Sequence, residues 1–139
     1  MKIVIIGAVA AGAKAAAKAR RMSKDNEIIV YTEDTHISYS SCGLPYYIEG
    51  NFEDYRMLLV RSPEEFEAQN VKINLLHKVI KIIPATQQIL VHNLSDNKVE
   101  LVNFDKLIIA TGANPFIPPI KNVSLPNIFT LRKIEDGIN

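Results

Sequence analysis

Four consecutive apolar residues, Ile3-Val4-Ile5-Ile6, follow Lys2 and stop at Gly7. A short unbroken apolar run is the pattern of a strand buried on both faces, as in a parallel sheet. From Ala11 to Met22 the text becomes AGAKAAAKARRM. Ala, Lys and Arg are strong helix formers, so this segment predicts a helix. Lys24-Asp25-Asn26 reads as a loop, and Glu27 to Tyr31 (EIIVY) as a second buried strand. Strand, small-residue turn, helix and strand within about thirty residues make a βαβ unit, which is right-handed.

Beyond it, Thr32 to Gly50 is loop-rich. Pro63 to Gln69 (PEEFEAQ) predicts a short helix, with Ser62 as N-cap and Pro63 at the first helical position. Val71 to Leu76, Val79 to Ile83, Gln88 to His92 and Val99 to Val102 read as successive short strands, with a turn at Asn93-Leu94-Ser95-Asp96-Asn97. Leu107-Ile108-Ile109-Ala110 is another buried strand of the parallel type, ending at Thr111-Gly112. Asn114 to Pro126 carries four prolines and reads as extended. The pattern predicts an α/β fold, and 139 residues amount to one domain.

Composition narrows the function. Sixteen Lys+Arg against fifteen Asp+Glu leave a formal charge of +1, which argues against a nucleic-acid partner. With 47% hydrophobic residues the chain has material for a core. The single cysteine, Cys42, excludes an internal disulfide framework and a Cys-based zinc site. His36, His77 and His92 lack ligand spacing, so no metal is expected. The opening apolar run is too short for a membrane span of ~20 residues or for the ~7–15-residue core of a secretory signal. No membrane partner is expected, and a lone thiol suits a reducing cytoplasm.

Four features carry candidate chemistry. Gly7-Ala8-Val9-Ala10-Ala11-Gly12 lies between a strand and a helix. A dinucleotide-binding turn needs a first glycine to turn sharply, small residues for close backbone approach to a pyrophosphate, and a last glycine for helix–strand packing. Val9 stands where the middle glycine would be, so the competing reading is a small-residue helix start without a ligand. An acidic residue about twenty positions on would hold ribose hydroxyls. Glu33 is 21 residues past Gly12, with Thr32 offering a weaker hydroxyl contact; the alternative is an exposed loop carboxylate. LIIATG, Leu107 to Gly112, ends a buried strand in small residues that let a loop pass close to a cofactor. Cys42 sits among Ser38, Ser40, Ser41 and Gly43 rather than in an apolar stripe, which favours a reactive thiol over a buried one. A helix over Gly43 to Ile48 would favour its thiolate. Lys14, Lys18 and Arg21 share one helix face, which reads either as solvated or as a landing strip for an anion.

Three stretches, IVIIGAVAAGAKAAAKARR, ISYSSCGLPYYI and FDKLIIATGANPFIPP, together resemble one flavoprotein group over essentially the whole chain. This is the single-cysteine class of pyridine nucleotide-disulfide oxidoreductases, which includes coenzyme A-disulfide reductases, coenzyme A-persulfide reductases, NADH oxidases and NADH peroxidases. The resemblance implies a Rossmann-like FAD-binding domain with a parallel sheet and an inserted antiparallel β-meander. It implies that Gly7, Ala8, Val9, Ala10, Ala11 and Gly12 contact the FAD pyrophosphate. Val79 would meet the adenine through its backbone, and Ala110, Thr111 and Gly112 would line the cofactor from the far side. Cys42 would be the redox-active residue beside the isoalloxazine. Positions matching Lys14, Lys18, Arg21, Ser38 and Ser41 touch coenzyme A in the coenzyme A-disulfide reductases.

The implied activity passes electrons from NAD(P)H via FAD to one cysteine. A single cysteine cannot close a dithiol, so its oxidised form is either a mixed disulfide with a small thiol such as coenzyme A, or a sulfenic acid. The first makes a disulfide reductase, the second an oxidase or peroxidase. A module that binds nucleotide without turnover is the remaining reading. Three departures stand out. The group usually ends its second strand with Glu, here Thr32; it often has Asn before the cysteine, here Ser41; and it continues past the point matching Asn139 with NAD(P)H-binding and dimerisation domains. The chain therefore reads as the amino-terminal FAD domain of a longer, homodimeric enzyme.

Overall fold

The computed structural model describes residues 1–138. Strand β1 (Lys2–Ile6) runs between β2 (Glu27–Tyr31) and β7 (Lys106–Ile109), and β3 (Val71–Asn74) lies outside β2; all the pairings are parallel. A second sheet is the antiparallel meander β4 (His77–Ile83), β5 (Gln88–Asn93) and β6 (Val99–Asn103). The expected α/β architecture, parallel sheet with an inserted meander, is the one observed.

Strand alternation sends β1 side chains to two different cores. Ile3 and Ile5 pack with Ile28, Val30, Val71 and Phe66 under helix α1 (Ala11–Met22), which contributes Ala13, Ala16 and Ala17. Val4 packs with Ile29 and Tyr31 on the opposite face, against Ile89, Val91 and Val102 of the meander. The parallel sheet is thus covered on both faces, which explains why β1 reads as an unbroken apolar run. Alanines on the buried side of α1 let the helix sit close to the sheet. The Arg20 guanidinium fastens its far end, donating to the carbonyls of Ser23, Lys24, Asn26 and Asn70.

The turn after β1 is tighter still. Gly7 has a φ of +97°, and a Cβ there would overlap the Ala110 carbonyl oxygen beyond the end of β7. A Cβ on Gly12 would overlap the carbonyl oxygen of Gly7. Three backbones therefore meet where only glycine fits at two positions.

Shorter elements complete the chain. Helix α2 (Leu44–Ile48) follows a 3₁₀ turn at Ser41–Gly43. Helix α3 (Pro63–Glu67) carries the expected cap: Ser62 Oγ accepts from the Glu65 amide, and Glu65 Oε2 accepts from the Ser62 amide at 2.8 Å. Helix α4 (Ile134–Ile138) returns to pack on α2. Tyr39, Leu44, Leu58 and Ile134 form a third, smaller core beneath that pair.

Three expectations need correction. The strand expected over Val71 to Leu76 stops at Asn74, where Leu76 turns with a φ of +56°, and β4 then starts at His77 instead of Val79. The helix expected from Gly43 starts at Leu44, and Cys42 lies within the preceding 3₁₀ turn. The segment expected to stay extended from Asn114 to Pro126 does so only to Ile120. Turns run over Lys121 to Asn127, built around Asn122 at a φ of +66°, a conformation that asparagine tolerates better than most residues.

Gly12→Ala should lower stability by about 3 kcal/mol or more, because backbone must move to admit the methyl group. Gly50→Ala, at a φ of +86° in open space, should cost only the left-handed penalty of about 1–2 kcal/mol. Urea unfolding of both variants checks the order; equal losses would contradict the close packing.

Candidate functional site

A cavity of about 410 Å³ opens at the carboxyl edge of the parallel sheet. Ligands of open α/β sheets bind at this edge, and the volume falls in the range of small-molecule sites. Its floor is the turn Gly7 to Ala11; its far wall is Ala110 to Asn114; its near wall is Tyr31 to Asp34. His77, Lys78 and Val79 close it from β4, and Arg132 and Lys133 from the segment before α4.

Helix α1 starts at this floor without any side-chain cap and with no acidic residue in its first turn. The first amides of a helix have no intrahelical acceptor, and the dipole end is positive. The cavity therefore presents unclaimed N–H donors, a fit for an anionic group such as a pyrophosphate. On the opposite side, Arg132 Nε donates to the Ala113 carbonyl at 2.8 Å, and its guanidinium lies against Gly112, where a Cβ would strike it.

Charge gathers just past β2. Glu33 Oε2 lies 2.8 Å from Lys78 Nζ, and Glu33 Oε1 lies 3.4 Å from Lys133 Nζ. Lys133 Nζ also donates to Asp34 Oδ1 at 2.5 Å. The hydrogen bond from Lys78 holds the Glu33 carboxyl below its ordinary value, aided by the charges of Lys133 and Lys78. The bond to Asp34 holds Lys133 above its own. Burial, with the nearby Glu100 and Glu27 charges, pushes the Tyr31 phenol up to about 12, so it stays neutral. The segment before α4 is tied down further. Thr35 Oγ1 donates to Glu135 Oε1 at 2.5 Å, and His36 Nδ1 lies 3.2 Å from the same oxygen.

Among the expected site residues, Gly7, Ala8, Val9, Ala10, Ala11, Thr32, Glu33, Val79, Ala110, Thr111 and Gly112 all line this one cavity, and so does Ser41. Gly12 lies buried behind the floor, where it permits the helix to approach. Cys42 is exposed, one residue beyond Ser41 on the 3₁₀ turn. Ser38 is buried at a φ of +48°, its amide donating to the Ala8 carbonyl at 2.8 Å. Lys14, Lys18 and Arg21 stand exposed along α1, outside the cavity lining. Sequence reasoning missed Asp34, Lys78, Arg132 and Lys133. Only Asp34 had a signal, its place beside Glu33; the three cations come from distant segments. Among the described residues, no group of three or more His, Cys, Asp or Glu is placed to hold a metal, and no helix is long and apolar enough to cross a membrane.

Comparison with known proteins accords with this arrangement. Residues 1–137 match the model of the pyridine nucleotide-disulphide oxidoreductase family. An NADH oxidase of Methanocaldococcus jannaschii is 38% identical over 138 residues, 99% of this chain and 31% of that protein. A coenzyme A disulfide reductase of Staphylococcus epidermidis is 37% identical over 136 residues, 97% of this chain and 30% of that protein. The crystal structure of reduced Bacillus anthracis CoADR-RHD superposes with a TM-score of 0.93 at 37% identity, covering 99% of this chain and 25% of that one. The chain belongs to the pyridine nucleotide-disulphide oxidoreductase family, and it spans about a third of the length of the curated relatives it matches.

The charge network predicts a pH response. A carboxyl held below its unfolded value adds stability that is complete above about pH 4.3 and lost as pH falls through the folded value. Lys133, held above its unfolded value, adds stability that is complete below about pH 10.4 and lost as pH rises through the folded value. The melting temperature of Glu33→Gln should therefore fall less steeply than wild type below pH 4.3, and that of Lys133→Met less steeply above pH 10.4. Parallel curves for variant and wild type would contradict the pairings.

Proposed function

We propose that the cavity binds FAD and that Cys42 is the redox-active residue of an NAD(P)H-dependent disulfide oxidoreductase of the coenzyme A-disulfide reductase kind. The observation that carries this reading is the uncapped start of α1, which opens on a cavity walled by Ala110 to Asn114 and Thr32 to Asp34. The amides of Ala8 to Ala11 would hold the pyrophosphate, Glu33 and Thr32 the ribose, and the Val79 backbone the adenine. Gly7 and Gly12 would act by letting those amides come close.

A flavin bound there would supply a carrier that accepts electron pairs from NAD(P)H. The part left to the protein is to hold a thiol near it. Cys42 follows cavity-lining Ser41 on a turn that the third core supports, and its exposure leaves it open to a soluble disulfide. Its thiolate attacks one sulfur of a disulfide; the old S–S bond breaks, one thiolate leaves, and a mixed disulfide forms on Cys42. Two electrons and two protons then return Cys42 to the thiol and release the second small thiol. Lys14, Lys18 and Arg21 would attract the phosphates of coenzyme A, with Ser38 and Ser41 nearer the sulfur.

Cycling through sulfenic acid is the second reading, favoured by the likeness to an NADH oxidase. Cytoplasmic location and homodimerisation of a longer protein belong to the same proposal.

Two measurements check it. Titration of the chain into FAD should change flavin fluorescence saturably. Intact mass without reductant, after treatment with oxidised coenzyme A, should show one added coenzyme A on wild type and none on Cys42→Ser. Added oxygen after peroxide, with no thiol uptake, would favour the oxidase reading. The absence of both adducts, or of flavin binding, would overturn the assignment.

A further inference from the structure

Two consecutive residues reach opposite sides of the cavity. Arg132 holds the far wall: its Nε donates to the Ala113 carbonyl at 2.8 Å, and its guanidinium lies against Gly112. Lys133 holds the near wall, donating from Nζ to Asp34 Oδ1 at 2.5 Å and to Glu33 Oε1 at 3.4 Å. Both cations and all four of these partners line the cavity. The backbone at Arg132-Lys133 is therefore a strap that joins one wall to the other.

What holds the strap lies outside the cavity. Asp136 Oδ2 accepts from the amides of both Arg132 and Lys133, each at 2.7 Å, and the Asp136 amide donates back to the Lys133 carbonyl at 3.1 Å. A carboxylate in the first helical turn that takes the amide ahead of the helix is half of a capping box; here it takes a second amide as well. Beside it, Glu135 Oε1 accepts from Thr35 Oγ1 at 2.5 Å and lies 3.2 Å from His36 Nδ1, while Ile134 is buried in the third core. Helix α4 spans five residues, too few to hold its shape without such anchors. Thr35, His36, Ile134, Glu135 and Asp136 are absent from the cavity lining, so they act on a ligand there only through the strap.

The side-chain ties of Arg132 and Lys133 to the walls are partly exposed, and such contacts are individually weak. The backbone tie to Asp136 sets where both side chains start from. We propose that residues 132–136 form a gate for the nucleotide, opened by lifting the strap from a wall, and that Asp136 is the positioning residue that sets how often it opens. This rests on the FAD reading above. A gate leaves a kinetic mark that a contact does not. Losing a contact to the ligand speeds chiefly its release and weakens affinity. Loosening a gate that is shut in both the free and the loaded protein speeds entry and exit together and leaves affinity nearly constant.

The test mixes the full chain with FAD in a stopped-flow fluorimeter and follows release after dilution. Asp136→Ala should raise both rate constants about tenfold, the size expected for losing hydrogen bonds to a charged acceptor, with Kd constant within a factor of about three. Glu135→Gln, which leaves Asp136 in place, should raise both by about threefold, and it carries the test if Asp136→Ala does not fold. Hydrogen exchange over residues 131–138 should quicken in each variant relative to wild type. Unchanged rates in a folded variant, or a faster release with unchanged entry, would overturn the gate and leave FAD binding in place. No saturable FAD signal from wild type would remove the FAD reading and the gate with it.

Discussion

The edge of the parallel sheet depends on backbones that pack together with no room for a side chain between them. Gly7 turns the chain at the end of β1 against the carbonyl of Ala110, and Gly12 brings the start of α1 against the carbonyl of Gly7. Hydrogen bonds of 2.8 Å from Gly7 to Tyr31 and from Ala110 to Ile6 lock the three strand ends together. Side chains there would push the helix outward and close the edge of the sheet. Because none is present, the positive end of α1 lies at the mouth of the sheet, and its free amides become the floor of a cavity.

Charge then gives that cavity two unlike ends. The floor and the Ala110 to Gly112 wall are neutral backbone and small side chains. The end past β2 holds the carboxylates of Glu33 and Asp34 with the ammonium groups of Lys78 and Lys133. Those ion pairs are partly exposed, so they contribute modestly to stability. Their larger effect is geometric: they join β2, the meander and the returning segment before α4 around a single opening.

The thiol is placed by the third core. Tyr39 and Leu58 lie buried below the turn that carries Cys42, and Gly43 leaves no room for a side chain against Leu58. Helix α4 seals the same core with Ile134 and carries Arg132 and Lys133 to the cavity just before it. The turn that carries Cys42 is thus held by packing underneath it while Cys42 itself stays exposed.

What the amino-acid text determined was local. The bounds of α1 and β2 match the expected ones, because Ala-rich propensity and an unbroken apolar run act over a few neighbouring residues. The Ser62-Pro63 helix start and the small-residue turns at Gly7 and Gly112 were legible for the same reason. Tertiary structure decided which charges share the cavity. Lys78 and Lys133 read as ordinary surface lysines in sequence, and no periodicity links either to Glu33. They meet it because the meander folds over one face of the parallel sheet and the chain comes back to dock α4 on α2. Contacts between segments so far apart are set by the packing of whole layers, and that information lies in no single stretch of the chain.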